Sequence, residues 1–556
     1  MRRLDRLAAV LLLAALIGVA GWMAAPRSHS SPAAGPSSTQ EITASPTTAT
    51  PYREGILGHP SSVTPLTART QADRDLVALL FRGLMKSGKN GGLVGDLASF
   101  YTISDDGRTY VFTIGQAAWE DGVPVTAADV VFTIGLIQNG SRSGSLAASW
   151  YGIKVTAVDS KTVQFDLPAP DGAFLSQACL PLLPEHLLRD VSASELAGSS
   201  FSVRPVGNGP YRLLTLDSSH AVLARVLPGA QGTPSVSTML DRIDLFFFDQ
   251  QNQMVSSFKA GQLDAVGGLD NAPTISASSA VAGSRVVSDP WSRLTAIVVN
   301  QRSGHTEMRD ARIRGALLGA VDRQSLVKSV YGAQGKISNG LIPTWSWYFD
   351  PASATPVNFN RAAVRDRFAS LKWTETPTGW APPKYKGVYA ITLLAPDEKS
   401  DFNLNRIAKI VSADWRAVNL NVTLVAVPAE EYLAHLRSGD FGAAVVDFSL
   451  GLDPDLTPLL TSDLARAGGT NVSGYQDATL DKLLLTAHGT TDPWARKQAM
   501  LSVEKRIDAS LPILPIAFRD YQMVVARRVI GPVTNPLADP SNRYWDVIDW
   551  RLASDG

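Results

Sequence analysis

The 556-residue sequence contains a single cysteine, Cys179. One thiol excludes both an intramolecular disulfide and a zinc site built from four cysteines. The residues around it, Phe174 to Pro181, are largely apolar. We therefore expect a buried and unreactive thiol at this position.

The chain also lacks an excess of charge of either sign. It carries 51 Lys and Arg residues against 51 Asp and Glu residues, a formal net charge of +0. Nucleic-acid binding depends on a basic excess that displaces counterions, so we expect no nucleic-acid partner. The length exceeds what one hydrophobic core supports, which predicts two or three folded units.

The motifs of common catalytic and metal sites are missing as well. None of the seven histidines forms a His-Glu-x-x-His pair, and there is no Gly-x-Ser-x-Gly or Gly-x-x-x-x-Gly-Lys-Ser/Thr segment. Gly207-Asn208-Gly209-Pro210 begins like a dinucleotide loop but lacks the third glycine. Asp453 and Asp455 could serve glycoside hydrolysis in principle, but we favour a polar loop around Pro454. No catalytic residue, metal site or cofactor is therefore predicted.

The amino-terminal segment indicates where the protein works. Arg2, Arg3 and Arg6 precede an uncharged run of 19 residues from Leu7 to Ala25. As a helix this run spans about 28 Å, close to the hydrocarbon core of a bilayer. The arginines place the amino terminus inside and the rest of the chain outside. We expect residues 1–26 to be an uncleaved signal anchor; the alternative is a cleaved signal peptide, which would release a secreted or periplasmic protein.

Residues 27–51 are mostly Ser, Thr, Pro, Ala and Gly, a composition that predicts a disordered linker. After this linker, strand and helix patterns alternate. Thr126 to Asp129 has the form of a capping box before a helix that ends near Asn139-Gly140. Further on, residues 422–426, 429–437 and 443–448 predict a strand, a helix and a strand. This order indicates an α/β fold with much of its sheet parallel.

Several segments in a fixed order resemble the family 5 extracellular solute-binding proteins, the oligopeptide, dipeptide and nickel receptors of ABC importers. The most distinctive is Trp119-Glu120-Asp121-Gly122 through Val130. The others extend from about residue 55 to 525 and include Phe81-Arg82-Gly83-Leu84, Leu183-Pro184-Glu185-His186, Val206 to Tyr211, Ala260 to Asp264, Arg309 to Arg323, Ser473-Gly474-Tyr475 and Leu511 to Pro515.

The resemblance implies a periplasmic-binding-protein-like fold of two lobes joined by a hinge, with an extra subdomain in the first lobe. Lobe one would comprise residues 52–84, 204–290 and 508–556. The inserted subdomain would comprise 85–203, and lobe two 291–507. A protein of this kind is a monomer that captures a peptide or other small solute and delivers it to ABC permease subunits. The alternatives are a membrane-anchored adaptor that senses a ligand and, with less support, an extracytoplasmic hydrolase.

One departure from the family pattern concerns the ligand. Peptide receptors of this family usually carry Trp-x-x-Asp shortly before Asp-Pro, and that aspartate pairs with the free amine of the ligand. Counting back from Asp453-Pro454, Leu450 stands at the aspartate position and Asp447 at the tryptophan position. Either Asp447 replaces that aspartate from another angle, or the ligand is not a plain peptide.

The candidate ligand-binding residues follow from the same resemblance. Asp447, Phe448 and Leu450 would line the cleft, with Trp291 at the hinge and Asn300 on a facing strand.

Overall fold

The computed structural model describes residues 50–140, 145–226, 239–269 and 272–553. The predicted anchor and nearly all of the predicted linker lie outside these ranges. Within them, no helix is long and apolar enough to cross a membrane.

The strands of the described residues, numbered in chain order, are β1 Tyr52–Leu57, β2 Met85–Ser87, β3 Leu93–Gly95, β4 Ala98–Ile103, β5 Thr109–Ile114, β6 Lys154–Ala157, β7 Thr162–Asp166, β8 Tyr211–Leu216, β9 His220–Arg225, β10 Arg242–Phe248, β11 Ala265–Gly267, β12 Arg285–Val299, β13 Gly335–Ile337, β14 Thr374–Thr376, β15 Gly379–Ala381, β16 Ala390–Pro396, β17 Asn421–Val427, β18 Ala443–Ser449, β19 Leu514–Val525, β20 Val529–Ile530 and β21 Arg551–Leu552.

The α-helices, numbered in the same way, are α1 Gln71–Leu80, α2 Ala127–Asn139, α3 Ser145–Ser149, α4 Phe174–Gln177, α5 Glu185–Leu188, α6 Gln251–Lys259, α7 Ala272–Ser279, α8 Ala311–Gly319, α9 Arg323–Tyr331, α10 Arg361–Ser370, α11 Phe402–Ala417, α12 Ala429–Ser438, α13 Thr457–Leu460, α14 Ala478–Gly489 and α15 Pro493–Ser510. A longer 3-10 segment, Pro540–Asp549, lies near the carboxyl terminus.

The predicted capping box at α2 is present. The backbone N–H of Thr126 donates to the Asp129 carboxylate at 2.8 Å, which satisfies a group that the helix itself leaves without a partner. The helix ends at Asn139, followed by Gly140, as the sequence predicted.

The predicted strand, helix and strand near residues 422–448 are also confirmed, as β17, α12 and β18. β16 pairs with both β17 and β18 in parallel, so this part of the sheet is parallel, as expected. β18 is buried on both faces because helices cover the sheet on each side.

One sheet runs through both halves of the protein. Its strand order is β17-β16-β18-β12-β19-β11-β1-β10-β9-β8, with β13 paired to β19. The two long central strands, β12 and β19, belong to both halves, and each half has its own apolar clusters. This is the two-lobed architecture with a hinge that the sequence predicted.

A separate four-stranded sheet, in the order β4-β5-β7-β6, accounts for the inserted subdomain. The exact lobe and subdomain boundaries stay a prediction. The predicted boundary between residues 290 and 291 falls inside β12, at an interruption of its pairing with β19.

Candidate functional site

The pairing of the two central strands is interrupted at the predicted boundary between the lobes, and this interruption is referred to as the hinge. Pro290 of β12 is opposite Asp520 of β19, but the next paired residues are Leu294 and Phe518. Trp291, Ser292 and Arg293 therefore bulge out of this ladder. A bulge bends a strand and redirects its side chains, which is the geometry needed where two lobes meet.

A segment close to the carboxyl terminus holds this bulge in place. The N–H of Ser292 donates to the carbonyl oxygen of Leu537 at 2.9 Å, and the N–H of Leu537 donates to that of Pro290 at 2.8 Å. The indole Nε1 of Trp291 donates to the carbonyl oxygen of Ala538 at 3.3 Å. These contacts fix the ring of Trp291 at the interruption between β12 and β19, and its place in the ligand site stays a prediction.

Two arginines contact the ring of Trp291. The guanidinium carbons of Arg293 and Arg519 lie 5.2 and 4.9 Å from the ring centroid. Cations at such distances are attracted by the electron-rich face of an indole ring. The hinge therefore carries two positive charges next to an aromatic surface.

Asp447 on β18 lies against the same two arginines. Arg293 Nε donates to its carboxylate at 2.7 Å, the guanidinium of Arg519 lies at 3.4 Å, and the Thr295 hydroxyl donates at 2.6 Å. Burial by itself would raise the pKa of Asp447, but the two guanidinium groups hold that pKa below its ordinary value. Asp447 is thus a buried carboxylate whose charge is already matched by cations of the protein.

A second carboxyl group, Asp401, lies in the same electrostatic environment. It caps α11 by accepting the N–H of Leu404 at 2.9 Å. Burial and the neighbouring Asp447 raise the pKa of Asp401. The hinge therefore holds a mixed cluster of two cations and two acids, of which Asp447 is the more strongly ionised.

Phe448 and Leu450 lie on the opposite face of the sheet from Asp447. Both are buried in the apolar cluster of lobe two that also contains Leu294, Tyr348 and Phe518. The N–H of Leu450 donates to the carbonyl oxygen of Ser292 at 3.0 Å, which places Leu450 directly beside the hinge. This position is occupied by an apolar side chain and supplies no carboxylate.

Asn300 is not brought to this group. It follows the last residue of β12, nine residues beyond Trp291, or about 30 Å away along an extended strand. Its amide donates to the carbonyl oxygens of Gly439 and Phe441 at 2.9 and 2.8 Å. In this structure Asn300 ties the end of β12 to the turn before β18.

Sequence reasoning missed Arg293 and Arg519. Both lie on strands whose register brings them to Asp447 from 154 and 72 residues away. The available signal was a lone aspartate in the apolar run Ala443 to Phe448, since a buried carboxylate requires a cationic partner. That signal does not identify the partner.

Within the described ranges, no group of three His, Cys, Asp or Glu side chains is placed to hold a metal ion. The hinge brings together an aromatic ring and paired charges on one face of the sheet, with an apolar cluster on the other face.

Comparison with known proteins shows which family the chain resembles. Residues 92–469 match the model of the bacterial extracellular solute-binding proteins, family 5. The oligopeptide-binding protein AppA of Bacillus subtilis is 22% identical over 512 residues, which cover 90% of this chain and 91% of AppA. Its structure with a nonapeptide covers 91% of this chain and 99% of that chain at a TM-score of 0.71, with 20% identity.

Two further solved structures share the fold. NikZ from Campylobacter jejuni, in complex with Ni(L-His), has a TM-score of 0.71 and 21% identity, covering 90% of this chain and 99% of that chain. AgaA from A. tumefaciens R10, in complex with agropinic acid, has a TM-score of 0.70 and 19% identity, covering 91% and 99%.

The family match identifies the protein as an extracytoplasmic solute-binding protein. It belongs to family 5 of the bacterial extracellular solute-binding proteins.

Proposed function

We propose that this chain, the substrate-binding component of an ABC importer, captures a solute whose hinge-facing end carries no free ammonium group. The observation that carries the proposal is the apolar, buried Leu450 beside the hinge, together with the engagement of Asp447 by Arg293 and Arg519.

An ammonium group entering the hinge beside Trp291 would find the nearby carboxylates already paired. Asp520, opposite Pro290, is paired with Lys336 at 3.0 Å. Asp447 is the ionised acid there, and an ammonium approaching it would lie within a few ångströms of two guanidinium groups. Like charges at such distances repel, and the repulsion grows as the site excludes water. Desolvating an ammonium without a matched partner carries a large penalty, so a free amino terminus is disfavoured at this end.

A ligand whose hinge-facing end is neutral or anionic would bind the same surface more favourably. The Trp291 ring offers a flat contact area, and the guanidinium groups beside it favour a carboxylate or an amide oxygen. The fold is compatible with such a choice, because the structural neighbours hold ligands as different as a nonapeptide, a nickel–histidine complex and agropinic acid. The proposed ligand is a capped peptide or a small carboxylated solute.

We further propose that the protein works as a monomer at the membrane surface and catalyses no reaction. It is tethered to the outer face of the membrane by residues 7–25, with residues 27–51 as the linker, and delivers its ligand to the permease. The arginines before the apolar run and the absence of a cysteine near it support a protein anchor over a lipid anchor.

The test is to purify the full chain in detergent and identify the small molecules that remain bound, by native mass spectrometry. We expect a capped peptide or a small carboxylated solute, that is, a ligand without a free amino terminus. Bound peptides with free amino termini, or tighter binding of a free-amine peptide than of its acetylated form, would contradict the proposal.

The role of the hinge is tested by replacing its residues. We expect Trp291→Ala to raise the Kd of the identified ligand at least about tenfold, equivalent to roughly 1.4 kcal/mol of binding free energy. We expect Asp447→Ala to lower the Kd of a carboxylated ligand, because it leaves two guanidinium groups without their anion. Phe100→Ala is the control, since Phe100 is an exposed aromatic residue on the inserted sheet. An unchanged Kd in both hinge variants would remove these residues from the site.

A further inference from the structure

The inserted subdomain contacts lobe two at a second place, away from the hinge. The loop that follows β7 meets the junction between α14 and α15. The N–H of Gly172 donates to the carbonyl oxygen of His488 at 2.7 Å, and Arg496 donates to the carbonyl oxygen of Gly172 at 2.9 Å. These bonds join residues more than 300 positions apart, across the boundary between the lobes.

At this contact the two segments of the chain approach so closely that no side chain fits at position 172. A Cβ on Gly172 would lie 2.1 Å from the carbonyl oxygen of Thr490. The backbone dihedral angle φ of Gly172 is not positive, so close approach is the constraint here and conformational freedom is not. Glycine at this position permits a contact that an alanine would prevent.

A histidine lies between two carboxylates in the same contact. His488 Nδ1 is 3.0 Å from a carboxylate oxygen of Asp455 in lobe two, and Nε2 is 3.8 Å from one of Asp171 in the inserted subdomain. Asp171 is held in place by the N–H of Ala173 at 2.8 Å and the amide of Gln177 at 3.0 Å.

The charges around His488 favour its cationic form. Burial lowers the pKa of the imidazole, but Asp455 and Asp171 outweigh burial and Arg496, and raise it to about 9. Arg496 is itself paired with Asp453. At neutral pH, cations and anions from both sides of the contact therefore lie next to one another.

Part of the lobe-two side of this contact, namely Asp453 and Asp455, belongs to the loop that carries Leu450. Asp453 and Asp455 follow Leu450 by three and five residues, with Pro454 between them. Pro454 is fixed by the Tyr348 hydroxyl, which donates to its carbonyl oxygen at 2.7 Å. The segment between Leu450 and Asp455 is therefore short and fixed at Pro454.

We infer that Asp171, His488 and Asp455 form an interlobe latch that holds the two lobes together and couples their closure to the position of the loop carrying Leu450. Since the hinge strands β12 and β19 remain continuous when the lobes separate, this contact is one that opening breaks. The latch stabilises the closed arrangement through charges that water solvates when the lobes part.

The contact can be measured without ligand or permease by an engineered disulfide. A Cβ on Gly489 would lie 3.7 Å from the Cβ of Pro170, close to the spacing of about 3.8 Å usual in disulfides. We therefore choose Pro170→Cys with Gly489→Cys in a Cys179→Ser background of the full chain. Cross-linking under mild oxidant at fixed pH is followed by peptide mass mapping. We expect the cross-link to form; its absence in the folded protein would overturn the inference.

Latch variants in the same background separate a latch from a passive contact. We expect Asp171→Asn, His488→Gln and Gly172→Ala each to slow cross-linking at least about fivefold. Gly135→Ala is the matched control for Gly172→Ala, since Gly135 lies in α2 with open space around its Cβ position. His435→Gln is the control for the histidine, because His435 pairs only with residues near it in sequence, Glu431 and Asp440, in the described contacts.

Folding of each variant is checked by circular dichroism and thermal unfolding. Asp171→Asn and His488→Gln change opposite sides of the contact, so one remains informative if the other unfolds. Equal cross-linking rates in the folded variants and the controls would show that these side chains do not hold the lobes together. The proposed choice of ligand would be unaffected by that result.

Discussion

Arg543 and Glu54 are separated by 489 residues in sequence, and their side chains are hydrogen bonded at 2.9 Å in the interior of lobe one. Both side chains are almost completely buried, and Arg543 also pairs with Asp75 at 2.7 Å. The pairing ties the 3-10 segment Pro540–Asp549 to β1 and α1. The last part of the chain is thereby fixed to the first strand of the described fold.

Removing the arginine should therefore destabilise lobe one strongly. We expect Arg543→Met to lower the free energy of unfolding by about 3–5 kcal/mol, because two buried carboxylates lose their cationic partner. Urea unfolding followed by tryptophan fluorescence measures the change. Arg312→Met is the control, since its pair with Asp310 is exposed and such pairs contribute less than about 1 kcal/mol. Similar losses in the two variants would contradict this account.

Glu504 on α15 should make the protein less stable as pH rises. Burial raises the pKa of Glu504 to about 7, against which the hydrogen bond from Ser353 acts only in part. An acid whose folded-state pKa is raised destabilises the fold as pH rises from its unfolded value to the folded one. Over roughly pH 4.5 to 7 this loss amounts to about 3 kcal/mol.

The corresponding variant is Glu504→Gln, which has no charge to bury. We expect the stability of the variant relative to the unmodified protein to increase between pH 4 and pH 8, as measured by urea unfolding at each pH. Glu431→Gln, at a more exposed position on α12, provides the comparison. A stability difference that stays constant with pH would show that Glu504 is not the group involved.

The stabilising contribution of His488 in the latch should also be lost as pH rises, but over a higher pH range than that of Glu504. Because Asp455 and Asp171 raise the pKa of His488 above that of an unfolded histidine, its contribution is fully present below about pH 6.5. The contribution is lost as pH rises through about 9. Arg496 and Asp453 complete the charged groups around it.

We therefore expect His488→Gln to lower the Tm at pH 7 and to have a smaller effect at pH 10, measured by differential scanning fluorimetry. Between the same two pH values, His435→Gln should show no such narrowing. If the Tm gap for His488→Gln were as large at pH 10 as at pH 7, the imidazolium charge would not be the stabilising element.

Cys179 is half-buried in the structure, less covered than the sequence predicted, but it should still react slowly while the protein is folded. Burial and the nearby Asp96 raise the pKa of its thiol to about 12, so very little thiolate exists at neutral pH. We expect reaction with a disulfide reagent at pH 8 to be at least about tenfold faster in denaturant, with one thiol per chain. Equally fast reaction of the native protein would mean that the thiol is accessible and ionised.

Local elements were predictable because their determinants lie within a few residues. Thr126 and Asp129 define the start of α2 by themselves, and the apolar run from Ala443 to Phe448 predicts a strand covered on both faces. The two-lobed fold followed from the family resemblance and the order of its motifs, whereas the place of Trp291 in the ligand site stays a prediction.

The partners of charged residues were not predictable in the same way. Asp447 meets Arg293 only through the register of β12 against β18, and the sequence does not specify a pairing over 154 residues. The residues around Pro454 form a turn, in the place where the sequence predicted a loop. That Asp455 lies beside His488 and across from Asp171 depends on how an inserted subdomain packs against lobe two.

Both ends of the described fold lie in lobe one, which has a practical consequence for building a fluorescent sensor from this protein. The strand that begins at Tyr52 and the strand that ends at Leu552 both lie in lobe one. Fluorophores fused next to these two strands would move together and would not report closure. One fluorophore must instead be inserted in lobe two, for which the exposed turn at Lys384–Gly387 is suitable.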